Sequence, residues 1–256
     1  MLTLLTLLSA ALPLAAAAST PSDAEQLFAA IHEGRSAEVK RLLETNPSLA
    51  TARSAKGVSA VTAALFRRQG EGFVPPQKND VLAELMARGV PLDRFEAAAV
   101  GGRARIEREM QADAGYLTSE SSFGWTPLHF AAYGGNLKVA ELLLDRGADI
   151  NRRANTKFRN TPLQVSLLTA QEEMAALLVK RGADVRIQQA EGFTALHEAA
   201  QIGSEKVAAL LLEAGADPNA RAEDGRTPLG IARTDRHDAV AKLLLSRGAK
   251  EAEERH

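Results

Sequence analysis

The sequence predicts an all-α solenoid of about seven helix-turn-helix repeats joined by short finger loops, and three observations carry that expectation. Of 256 residues, 48 are Ala and 34 are Leu, so about a third of the chain is one of two strong helix formers. Similar segments open at Thr126, Thr161, Thr194 and Thr227, spaced 35, 33 and 33 residues apart. A second marker runs in phase with the first. It reads Gly147-Ala-Asp, Gly182-Ala-Asp, Gly215-Ala-Asp and Gly248-Ala-Lys, each after an apolar run such as Leu142-Leu143-Leu144. Two markers at one period, four times over, point to units that stack on one another.

Residues 1–18 form an uncharged apolar run that ends in small residues, Ala16 and Ala18 among them. This has the apolar core and cleavage region of a secretory signal peptide, although no Lys or Arg precedes it. An N-terminal membrane anchor is the alternative, since the run approaches a spanning length. Either reading places the remainder outside the cytoplasm, periplasmic or secreted, with no stable membrane insertion once a signal is cleaved. Residues 19–23 then serve as a linker, 24–250 as the repeat domain and 251–256 as a charged tail.

One unit shows the physics. The Thr126 hydroxyl can cap a helix whose first residue is Pro127, where a missing N–H costs nothing. Ala131 and Ala132 leave a small face for close helix approach, and Gly134-Gly135 ends the helix. A second helix begins near Leu137 with Val139, Leu142 and Leu143 on its inner face, and Gly147 supplies the left-handed turn that stops it. A single unit cannot bury its own apolar face, whereas a stack can.

Thr126-Pro-Leu-His-Phe-Ala-Ala followed by Leu142-Leu-Leu-Asp-Arg-Gly-Ala-Asp-Ile-Asn resembles the pattern of the ankyrin repeat family. The resemblance is specific over 124–250, in units at about 124–158, 159–191, 192–224 and 225–250. Upstream the signature fades while the phase persists, giving units at about 24–56, 57–92 and 93–123. The second carries an insertion at 69–79, with Phe73-Val74 and two prolines in a polar loop expected at the end of the stack opposite the fingers, either functional or merely tolerated. The third is a reduced unit without the Thr-Pro-Leu-His signature, and is expected to be a weak link.

Composition and motifs argue against chemistry. A net charge of −1 gives no global attraction to nucleic acid, and the absence of Cys removes thiolate catalysis and thiolate metal sites. The sequence holds no phosphate loop, nucleophile elbow or His-Glu-x-x-His motif. No catalytic residue, metal ligand or cofactor is expected. The resemblance implies that His129 and His197 hydrogen-bond turn backbone.

The resemblance further implies that fingers and first helices line a concave face where a partner protein binds. Phe123, Trp125, Tyr133, Phe158 and Phe193 fall at those positions, five of eleven aromatic residues, while Phe130 reads as core. Exposed rings are enriched at protein contacts, so these are candidate anchors, with rigid spacers between fingers as the alternative. Arg159, Glu198, Gln201 and Arg226 are their polar companions. Arg152, Arg153, Lys157 and Arg159 make one finger basic, as a solvated loop or a reader of an acidic partner. The expected function is that of a non-enzymatic, monomeric binding module for a protein of unknown identity, either a periplasmic accessory or inhibitor of an enzyme, or a secreted effector acting on a host-cell protein.

Overall fold

A computed structural model describes residues 21–70 and 72–251. The signal segment 1–18, residues 19–20 of the linker and residues 252–256 of the tail lie outside the described residues. The described chain is an all-α solenoid whose helices fall into seven successive pairs. The pairs are α1 (Asp23–Glu33) with α2 (Ser36–Thr45), α3 (Ala60–Leu65) with α4 (Asp80–Ala87), α5 (Glu96–Val100) with α6 (Arg103–Ala112), and α7 (Pro127–Gly134) with α8 (Leu137–Asp145). Then follow α9 (Pro162–Leu167) with α10 (Glu172–Lys180), α11 (Ala195–Gln201) with α12 (Glu205–Glu213), and α13 (Pro228–Thr234) with α14 (Asp238–Ser246). First helices touch first helices, as α5–α7–α9–α11–α13 do in series, and second helices touch second, as α8–α10–α12–α14 do.

The second helices bury residues at helical spacing, Val39, Leu42 and Leu43 in α2 and Val139, Leu142 and Leu143 in α8, and leave charged residues outward. The first helices are short and almost wholly buried. Every residue of α7 is buried, which its alanines allow. The two glycines that end α7 have different tasks. Gly135 takes the left-handed turn at φ 67°, whereas a Cβ on Gly134 would stand 2.2 Å from the Ala99 carbonyl oxygen of α5. Gly134 thus lets two helices meet backbone to backbone.

A helix start is capped in every unit, including the ones whose signature faded. The caps are Ser22, Ser59, Asp93, Thr126, Thr161, Thr194 and Thr227, spaced 37, 34, 33, 35, 33 and 33. In the reduced unit Asp93 and Glu96 take the places of Thr and His. The Asp93 Oδ1 accepts from the Phe95 and Glu96 N–H groups at 2.8 and 2.7 Å, and Glu96 Oε2 accepts from the Asp93 N–H at 2.7 Å. Glu96 is 1 % exposed, and its Oε1 accepts from the Ser59 hydroxyl and from the Thr62 hydroxyl and N–H, at 2.6 and 3.0 Å for the latter two. One carboxyl therefore closes the α5 start and ties it to the α3 start.

The insertion corrects the expectation of a loop lying away from the fingers. It forms a small antiparallel hairpin, β1 (Arg68–Gln69) with β2 (Gly72–Phe73), that bends onto the first helices. Val74 is buried and Phe73 sets its ring edge-on to Tyr133 at 5.7 Å. The Gln77 Nε2 donates to the Gly134 carbonyl at 3.0 Å and exchanges amide hydrogen bonds with Gln171, 94 residues along the chain, at 3.1 and 3.0 Å. The segment clasps the second, fourth and fifth units together.

The reduced unit is likewise reinforced from its neighbours. Phe66 packs on Phe130, Trp125 and Tyr133 at centroid distances of 6.1, 5.4 and 4.9 Å, and Phe95 packs on Phe130 at 5.6 Å. The Tyr133 hydroxyl donates to the Leu65 carbonyl at 2.9 Å, so the fourth unit reaches the second past the small α5. The Tyr116 hydroxyl donates to the Arg94 carbonyl at 2.8 Å. Among the described residues no helix is long and apolar enough to cross a membrane.

Candidate functional site

The signature histidines hold fingers. The Thr126 N–H and hydroxyl lie 3.3 and 2.8 Å from His129 Nδ1, which accepts from the amide, so the ring proton sits on Nε2 and points at the Asn160 carbonyl at 3.2 Å. His197 repeats this with Thr194 and the Arg226 carbonyl. Gln164 does the same work in the fifth unit, its amide donating to Ile187 and Phe193 carbonyls at 3.2 and 3.1 Å.

Burial holds the His129 imidazole neutral and lowers its pKa to about 4, and it lowers His197 in the same direction. An unfolded chain protonates His129 near 6.5 while the folded chain does not, so stability falls as pH drops below 6.5 and levels off below about 4. Urea unfolding at pH 7 and pH 4.5 should show His129→Gln losing less stability on acidification than the wild type, by roughly 2 kcal/mol. Equal losses would show that the imidazole proton is not coupled to folding.

The fingers and first helices enclose a cavity of about 470 Å³, lined by the rings of Phe66, Phe73, Phe123, Trp125 and Phe158 together with Asn160, Leu168, Glu198 and Gln201. That volume lies in the range of ordinary ligand sites. Phe123 and Phe158 stand on successive fingers and are 42 % and 41 % exposed. Trp125, at 8 %, forms part of the wall, and Gln201 is exposed at the rim.

The expectation of five exposed rings is corrected in three cases. Trp125 is only 8 % exposed because Phe66 and Phe130 pack on it. Tyr133 is 0 % exposed, its hydroxyl bonded to Leu65, and burial pushes its phenol pKa up. Phe193 is 6 % exposed and sits between His197 at 5.1 Å and the Arg226 guanidinium at 4.7 Å, outside this cavity. Arg226 is itself held by Asp224, Nε to Oδ2 at 2.6 Å. Arg159 is exposed but faces a different, polar recess with Glu120, Arg152 and Arg153.

The basic finger is partly neutralised by its surroundings. The Arg152 guanidinium donates to Glu120 at 2.8 Å and holds that carboxyl below its usual pKa, while Arg153 donates to the Gln188 carbonyl at 2.8 Å. Lys157 lays its ammonium over the Phe158 ring at 4.6 Å. Sequence reasoning missed Phe66 and Phe73 as walls, because their approach depends on the inserted hairpin. It could have found the Asp93-to-Glu96 box, which lies one period of 33 residues before Thr126.

Glu198 is the electrostatic oddity. It is 7 % exposed, its Oε2 has no hydrogen-bond partner among the described residues, and burial pushes its carboxyl well above the usual range.

The family profile described as Ankyrin repeats (3 copies) matches residues 96–189, 153–222 and 184–254. Two curated proteins are similar over short stretches. The 2-5A-dependent ribonuclease of Mus musculus is 36 % identical over 59 residues, 23 % of this chain and 8 % of the relative. Ankyrin repeat and SAM domain-containing protein 3 of Homo sapiens is 36 % identical over 62 residues, 24 % of this chain and 10 % of the relative. The similarity thus spans about a tenth of the length of these relatives.

Proposed function

The chain belongs to the ankyrin repeat family, and from that premise we propose that it is an exported, non-enzymatic module that binds one partner protein in the groove between its fingers and first helices. Ankyrin repeats are generic protein-interaction modules. The observation that carries the assignment to this groove is the pair Phe123 and Phe158, two large rings left about two-fifths exposed on successive fingers over an apolar cavity. Rings that are rigid, apolar and half-exposed bury much area on contact at low entropic cost.

Export rests on the apolar run of residues 1–18 and its small-residue end. The test combines fractionation with affinity capture from the extracellular or periplasmic fraction. A partner captured by the wild type and lost by Phe123→Ala/Phe158→Ala supports the groove. Identical captured sets overturn it, and retention of the full-length chain in the cytoplasm overturns export.

A further inference from the structure

We propose that the groove is built to take a lysine side chain of the partner protein, with the alkyl stem against the rings and the ammonium at Glu198. This rests on the groove reading above and adds the chemistry of the occupant. Three features of the groove lead to it.

The first is an acceptor left over by folding. Glu198 is more than nine-tenths buried, lines the cavity, and its Oε2 has no partner among the described residues. A buried polar atom without a partner is costly, and a carboxyl more so, because burial opposes its charge. Burial already holds this carboxyl well above its usual pKa. An incoming ammonium would let it ionise and form a charge-assisted hydrogen bond, which is stronger than one to a neutral group.

The second is the wall. Aromatic faces attract cations as well as apolar stems, and the groove presents Phe66, Phe123, Trp125 and Phe158. The rim demonstrates the affinity internally, since Lys157 already lies on Phe158 at 4.6 Å and Arg68 on Phe73 at 5.1 Å.

The third is how little of the acceptor is open. Glu198 is only 7 % exposed, which suits the compact point charge of an ammonium better than the broad, two-toothed fork of a guanidinium. Among the described residues the charged groups that share the cavity are Arg68, Lys157 and Glu191, so with Glu198 ionised this lining is balanced and carries no excess positive charge against the ligand.

Trp125 is the chain's one tryptophan and part of this wall, so its fluorescence reports on the site directly. Full-length protein is titrated at pH 7 with n-butylammonium, n-butanol and n-butylguanidinium. The expected result is a saturable change with n-butylammonium at a concentration about five- to tenfold lower than with n-butanol, and a weaker response to the guanidinium. In Glu198→Gln, which keeps the side-chain shape and removes the buried acid, the ammonium should lose that advantage while n-butanol is unchanged. Circular dichroism confirms that the variant is folded.

Equal responses to the ammonium and the alcohol would overturn the proposal, as would a tighter response to the guanidinium, or an ammonium preference that survives in Glu198→Gln. None of these outcomes touches the groove reading. That reading fails separately, if Phe123→Ala/Phe158→Ala captures the same partner as the wild type.

Discussion

Replacing Tyr133 with alanine is expected to lower the unfolding free energy by about 3–5 kcal/mol, the range for truncating a fully buried aromatic ring. The ring is 0 % exposed and touches Phe66, Phe73 and Trp125, which come from the second unit, its inserted hairpin and the adjoining finger. Few residues at the α3–α5 seam are large, because α5 contributes mainly alanines. A cavity left there cannot collapse without moving a helix. Tyr133→Phe separates packing from hydrogen bonding. It keeps the ring and leaves the buried Leu65 carbonyl without its donor, at a cost of about 1–2 kcal/mol. Urea unfolding of both variants checks the pair. A small loss with Tyr133→Ala would mean that the ring bears no structural weight and faces outward as the bare sequence suggested.

Glu96→Ala should cost about 3 kcal/mol or more by a different route. The side chain fills little volume that alanine could not leave to its neighbours, but it accepts from the Ser59 and Thr62 hydroxyls and from the Asp93 N–H. Each buried donor left without a partner costs roughly 1–3 kcal/mol. Glu96→Gln should fall between the variant and the wild type, because one amide oxygen still serves the α3 start while the amide nitrogen faces the Asp93 donor. Hydrogen exchange gives a second readout, as both α3 and α5 should lose protection together in Glu96→Ala. Loss confined to α5 would show that the two units are not coupled through this carboxyl. These two residues brace the seam around the reduced unit, and slower or faster hydrogen exchange over 93–123 than over 192–224 decides whether it is the weak link that its sequence suggests.

Much of the fold was legible because capping chemistry repeats in phase with burial. Thr126, Pro127 and Gly147 each state their task through a backbone requirement that few residues meet. The reduced unit was harder to read because Asp93 and Glu96 meet the same requirement with different side chains. The candidate site was legible in position and not in exposure. Sequence places Trp125, Tyr133 and Phe193 on fingers or first helices, where each of them lies. Their burial is decided by Phe66 and by a hairpin ring at Phe73, more than fifty residues from Trp125, and by Arg226 one unit beyond Phe193. No local pattern encodes such distant arrivals. Glu198 follows the signature His on a short helix and reads as an ordinary polar residue, since the walls that isolate it come from other units.

The most direct measurement is the affinity of the purified captured partner for three proteins: the wild type, Phe123→Ala/Phe158→Ala, and Leu137→Ala/Leu245→Ala. The last pair removes apolar side chains of comparable exposure, 37 % and 40 %, from second helices. The groove account predicts a Kd raised by at least about thirtyfold for the phenylalanine variant, as for a central anchor worth about 2 kcal/mol, and a Kd within about twofold of wild type for the leucine variant. Equal affinities for the wild type and the phenylalanine variant, or a loss confined to the leucine variant, would contradict it.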